Sequence, residues 1–170
     1  MDLKQAMRTF PDYPAKGIMF RDITTVLKNP SALNHALNQM AAQLEGLDFD
    51  IIVAPESRGF IFGAPLAARF GKGFVPARKK GKLPGPTAAK EYTLEYGTDT
   101  IEIHTDAVEA GQKVVIVDDL LATGGTAKCI CDIVAELGGT VVRSVFLIEL
   151  EELGGRDMLG DIGIRAVLTY

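Results

Sequence analysis

Val114-Val115-Ile116-Val117-Asp118-Asp119-Leu120-Leu121-Ala122-Thr123-Gly124-Gly125-Thr126 is the stretch that decides the fold. Four apolar β-formers stop at two aspartates. A short bridge follows, and Thr123 to Thr126 opens a segment with helical patterning. The expectation is a buried strand ending at Asp118 and Asp119, then a loop, then a helix start. Open α/β sheets place ligands at the carboxyl ends of their strands. Glycines let backbone approach an anion, and successive N–H groups with the hydroxyls of Thr123 and Thr126 can ring a phosphate at a helix N-terminus. Asp118 and Asp119 would repel that phosphate. They suit neighbouring hydroxyls, as on a ribose, or a bound Mg²⁺. Phosphate cradle and diol acceptor together have the shape of a sugar phosphate. Neither a Walker A loop nor a GxGxxG fingerprint is present.

Working outward, a 170-residue chain that is 47% hydrophobic and 24% charged reads as one globular domain with a full core. The net charge of −4 argues against a broad attraction to nucleic acid or anionic membrane. No apolar run reaches the length of a membrane span, and the first residues lack a hydrophobic signal core. The expected compartment is therefore the cytoplasm. Cys129 and Cys131 stand two apart on a predicted helix, where side chains diverge, and read as inert thiols rather than a disulfide or a zinc pair.

The predicted elements alternate. A short helix is expected over 2–10, with Leu3, Met7 and Phe10 on one face, and irregular chain over 17–28. Asn29-Pro30 starts a helix running to about Gly46. Strands are expected at 50–54 and 73–77 around a helix that ends near Gly71. The segment 78–90 is the least regular. Strands follow near 91–96, 100–105, 113–117, 140–149 and 164–168, with a helix after Thr126 that ends at Gly138. This alternation argues a mostly parallel twisted sheet with helices on both faces.

Five stretches in this order resemble the type I phosphoribosyltransferases, and the first, third and fourth their adenine-specific branch. They are Gly17–Ile23, Glu56–Phe60, Arg78–Pro84, Leu94–Gly97 and Val117–Thr126. The resemblance implies one domain over 1–170, with a small hood mainly from 1–28 and a mobile lid at about 78–96. It implies transfer of a phosphoribosyl group from phosphoribosyl pyrophosphate to adenine, with Mg²⁺ held mainly through substrate and water, and a homodimer.

Site roles follow from the same resemblance. The 5′-phosphate falls to Ala122, Thr123, Gly124, Gly125 and Thr126, and the ribose hydroxyls to Asp118 and Asp119. Pyrophosphate falls to Ser57, Arg58, Arg78, Lys79 and Lys82, and the peptide Glu56–Ser57 is expected to be cis. The base falls to main-chain groups around Met19 and Arg21, with Phe20 and Leu150 against the ring. One C=O and one N–H match the N6 donor and N1 acceptor of adenine, and guanine would leave both unsatisfied. Glu95, protonated under a closed lid, would hydrogen-bond N7 and act catalytically. Two alternatives stand beside this reading: transfer to another base, and a non-catalytic regulator that senses phosphoribosyl pyrophosphate.

Overall fold

The structure, a computed structural model, describes residues 2–93 and 97–170. Leu94, Glu95 and Tyr96 lie outside the described residues. In chain order the elements are α1 (Leu3–Ala6), β1 (Arg8–Phe10), β2 (Phe20–Asp22), α2 (Thr24–Leu27), α3 (Pro30–Ala42), β3 (Ile51–Pro55), α4 (Arg58–Phe70) and β4 (Gly73–Lys79). They continue with β5 (Thr87–Thr93), β6 (Thr98–His104), β7 (Lys113–Leu121), α5 (Gly125–Glu136), β8 (Thr140–Glu149), α6 (Gly155–Leu159) and β9 (Gly163–Thr169).

Seven strands make one sheet in the order β5-β6-β4-β3-β7-β8-β9. From β4 to β9 all neighbours are parallel, and β5 and β6 add an antiparallel hairpin at one edge. The central strands are apolar on both sides because both faces are covered. Alternate residues take opposite faces. Ile52, Val115, Val117, Val145 and Leu147 pack with Ala36 and Met40 of α3 and Phe62 and Leu66 of α4. Val53, Val75, Val114 and Ile116 pack with Ile130, Ile133 and Val134 of α5. The expected helices on both faces are present.

Local chemistry sets the helix starts. The Asn29 carboxamide accepts from Ser31 N–H (3.0 Å) and Ala32 N–H (3.2 Å), and Pro30 fills the first turn, so α3 begins where expected. It ends at Ala42, and turns carry the chain on to Gly46. Cys129 is buried, with its Sγ 3.2 Å from Lys90 O, and burial pushes the Cys131 thiol up to about 11. Both thiols are inert at neutral pH, as expected.

Three expectations are corrected. The first helix stops at Ala6, and Arg8–Phe10 instead pairs antiparallel with Phe20–Asp22, inside a segment expected to be irregular. A four-residue helix has little stability of its own, and the strand pairing satisfies more backbone. Phe10 is consequently exposed. The irregular stretch shrinks to 80–86, because β4 runs on through Lys79 and β5 begins at Thr87, both paired with β6. Strand β7 does not end at the aspartates. It continues through Leu121, with Asp118 opposite Phe146 and Leu121 opposite Glu149 on β8.

The N-terminal segment rests on the main core through Leu3, Met7, Ile23 and Val26. Asp22 ties it together. Its carboxylate accepts from Thr24 N–H at 3.0 Å and Thr24 Oγ1–H at 2.8 Å, and pairs with Arg8. These contacts, the Thr24 N–H first, pull its pKa down to about 2, below the usual aspartate range. A carboxyl lowered on folding stabilises above its unfolded value, and loses that effect as pH falls through the folded one. Asp22→Asn should lower Tm at pH 6, and the gap from wild type should close between about pH 4 and pH 2. Thermal melts across that range check it; a gap that does not change with pH would contradict it.

Candidate active site

A cleft of about 270 Å³ opens at the carboxyl ends of β3 and β7. Asp118, Asp119, the loop Ala122–Thr126, Arg58 and Lys79 all line it. The sequence-predicted sugar-phosphate residues are therefore brought together in one place. Glu56, Tyr92, Thr93 and Phe146 line it too.

The phosphate loop is built by close packing. Gly124, with φ +86°, precedes the first turn of α5. The first N–H groups of a helix have no partner inside it, so this turn presents donors to the cleft. A Cβ on Gly124 would meet Gly155 O at 2.7 Å, and one on Gly125 would meet the Tyr92 ring at 3.3 Å. A Cβ on Gly155 would meet Ala122 O at 2.4 Å. The start of α6 thus backs the loop from one side and β5 covers it from another. Arg156, next to Gly155, fixes α6 through Glu149, with Nε and Nη2 at 2.5 and 2.6 Å from the buried carboxylate.

The aspartates sit at the cleft floor. Asp118 Oδ1 accepts from Asp119 N–H at 2.8 Å. Both carboxyls are pushed above the usual range, first by burial, and Asp118 also by the charge of Asp119. The guanidinium of Arg58 pulls Asp119 back, its Nε lying 2.9 Å from Oδ2. Arg58 and Asp118 meet α4 at one glycine. A Cβ on Gly59 would reach Pro55 Cδ at 2.9 Å and Asp118 Oδ1 at 3.0 Å. The Glu56–Ser57 peptide is cis, as the resemblance implied.

Two other cations, Arg78 and Lys79, are paired as well. Arg78 reaches Glu56 at 3.2 Å, and Glu56 also accepts from Lys79 N–H at 2.6 Å. That N–H first, and Arg78 after it, hold the Glu56 carboxyl below its usual range. Lys79 Nζ lies 2.9 Å from Asp99, which raises the ammonium and lowers the carboxyl. Burial raises the Tyr92 phenol. Ser57 is exposed at the start of α4, and Lys82 is exposed on the turn after β4. Ser57, Arg78 and Lys82 do not line the cleft.

The predicted base residues stand apart from that cleft. Met19 is half exposed, and Phe20 packs edge-on to Tyr13 at 5.1 Å. The Arg21 side chain turns to Thr9 (2.9 Å) and stacks 4.0 Å from the Tyr170 ring, and its backbone stands opposite Thr9 in the β1–β2 pair. Leu150 follows β8 and donates its N–H to Leu121 O at 2.9 Å, one residue from the phosphate loop. Glu95, the predicted acid, lies outside the described residues. Sequence reasoning missed Glu56, Tyr92 and Asp99. Glu56 precedes Ser57-Arg58 directly, but a carboxylate has no task on an anion, and its task as a partner of Arg78 needs the fold.

Among the described residues, no three His, Cys, Asp or Glu side chains converge on one point as a ready metal cage. Asp118 and Asp119 are nonetheless hard oxygen donors of the kind Mg²⁺ takes.

Fold and cleft together define an α/β protein with a cleft at its strand ends, lined by a glycine-rich loop, two aspartates and two cations. Residues 22–158 match the profile of the phosphoribosyl transferase domain. The chain is 54% identical over 168 residues to an adenine phosphoribosyltransferase of Lachnoclostridium phytofermentans, covering 99% of this chain and 97% of that one. It superposes on the adenine phosphoribosyltransferase structure from Thermoanaerobacter pseudethanolicus with a TM-score of 0.95 at 55% identity, over 99% of this chain and 98% of that one. The Saccharomyces cerevisiae enzyme, complexed with adenine and an imino-altritol bisphosphate, gives 0.91 at 40% identity, over 95% and 94%. The chain belongs to the phosphoribosyl transferase family and, within it, to the adenine phosphoribosyltransferases.

Gly59→Ala should displace Asp118 and lower kcat/KM by at least about tenfold, with Tm falling by a few degrees at most, since the clash falls on the site rather than the core. Steady-state assays and melts check it; full activity would mean that the floor tolerates the methyl group.

Proposed function

We propose that the chain transfers the 5-phosphoribosyl group of phosphoribosyl pyrophosphate to adenine, giving AMP and pyrophosphate. The observation that carries this reading is the convergence of the Ala122–Thr126 loop, the Asp118–Asp119 pair and two cations in one cleft. Adenine as the acceptor is supported by the relatives that the chain resembles over its full length.

The reaction forms a bond from adenine N9 to the sugar C1 and breaks the bond from C1 to pyrophosphate, and the proton that N9 gives up leaves with pyrophosphate or to solvent. Positive charge develops on the ring, and negative charge on the leaving group. The N–H groups at the start of α5 hold the 5′-phosphate and so fix the sugar. Asp118 and Asp119 take the ribose hydroxyls. Their negative charge also favours the cationic ring. Arg58, Arg78, Lys79 and Lys82, with Ser57, neutralise pyrophosphate, and the 78–96 segment closes over it to exclude water. Asp118 and Asp119 are the residues that would face a Mg²⁺ ion, which would supply further neutralisation of the leaving group. Met19 and Arg21 offer main-chain groups to the base edge, Phe20 and Leu150 hold the ring, and Glu95 donates to N7. The same reading extends to a cytoplasmic homodimer, which light scattering would check.

Purified protein with phosphoribosyl pyrophosphate and Mg²⁺ should release pyrophosphate with adenine, and not with guanine, hypoxanthine, xanthine or orotate. Turnover on another base would reassign Phe20 and Arg21. Binding without turnover would favour the sensing regulator. Glu95→Gln should lower kcat by roughly 10²-fold, the usual scale of a general acid, with little change in KM for phosphoribosyl pyrophosphate. An unchanged kcat would remove Glu95 from the chemistry.

A further inference from the structure

Three cations assigned to pyrophosphate, Arg58, Arg78 and Lys79, are ion-paired, and one pair differs in kind. Glu56 and Asp99, the partners of Arg78 and Lys79, have no assigned sugar contact. Arg58 instead pairs with Asp119, which is itself assigned to the ribose. We propose that Asp119 is a specificity residue: it withholds Arg58 from free pyrophosphate, and yields it only when ribose hydroxyls take over its carboxylate. The proposal rests on the division of roles given above.

Asp119 has only 5% of its side chain exposed, and Asp118 lies against it. If pyrophosphate alone drew Arg58 away, two adjacent buried carboxylates would lose the guanidinium that lies 2.9 Å from one of them. Removing one partner from a buried pair is costly. A ligand that brings a diol supplies donors to the carboxylate as it takes the guanidinium, so the cost is offset. The Arg58 side chain is 47% exposed, so it can turn from carboxylate to ligand without disturbing the core. The Arg58–Asp119 pair therefore favours a ligand that carries diol and pyrophosphate together.

The test is calorimetric titration of inorganic pyrophosphate, in metal-free buffer, into wild type, Asp119→Asn and Asp118→Asn. Asp119→Asn should bind pyrophosphate roughly tenfold more tightly, about 1.4 kcal/mol, while ribose 5-phosphate binding weakens. Asp118→Asn removes the same charge one residue away without touching Arg58, and should tighten binding less than about threefold. No gain in Asp119→Asn, or an equal gain in Asp118→Asn, overturns the proposal, the latter pointing to general charge repulsion. If a variant fails to fold, wild type gives the same answer. Saturating ribose 5-phosphate should tighten pyrophosphate binding, although its added negative charge alone would weaken it. Unchanged or weaker binding refutes the exchange. The adenine assay on the same wild-type protein separates this outcome from the function. Turnover without the pyrophosphate effect rejects only the exchange, and the effect without turnover rejects only the transferase reading.

Discussion

Two carboxylates side by side at the end of a buried strand must be answered by donors and by a cation, and the arrangement of the cleft follows from that requirement. Strand β7 carries Asp118 and Asp119 to the floor. Helix α4 then has to start with a cation and a residue without a Cβ. Arg58 supplies the charge at 2.9 Å, and Gly59 leaves room for Asp118. The strand cannot turn away early, because Asp118 and Leu121 are still in register with β8. The Ala122–Thr126 loop is therefore placed directly beyond the carboxylates, and the proposed anion and diol sites become neighbours.

The loop is held from both sides. Gly155 presses on Ala122 and Gly124, and α6 is pinned by Arg156 on the buried Glu149. Tyr92 on β5 lies against Gly125. Its glycines thus serve the approach of backbone to backbone as much as that of backbone to anion. The hairpin of β5 and β6 joins the phosphate loop to the Lys79–Asp99 pair.

The fold was largely legible because β3, β7 and β8 are apolar runs bounded by turn signals, and the helices between them begin at Asn29-Pro30, Ser57-Arg58 and Gly124-Gly125. Arg8–Phe10 and Phe20–Asp22 were not legible as strands. Three residues are too few to set a period, and their pairing depends on Asp22 meeting Arg8 across a loop. The end of β7 was placed too early for a related reason. Polar residues that face a ligand interrupt the hydrophobic pattern without interrupting the backbone pairing. The cleft residues on Val117–Thr126 and Arg58 were visible in local spacing. Partners such as Glu56 for Arg78 and Asp99 for Lys79 lie some twenty residues away, and only the sheet brings them together.

The central claim is that phosphate, diol and base have separate, fixed places around β7. A crystal structure of the chain with AMP tests it most directly. The account predicts the 5′-phosphate on the N–H groups of Ala122–Thr126, the ribose hydroxyls on Asp118 and Asp119, and the adenine ring between Phe20 and Leu150. A phosphate bound instead at Arg78 and Lys79, or a base lying away from Phe20, would contradict it.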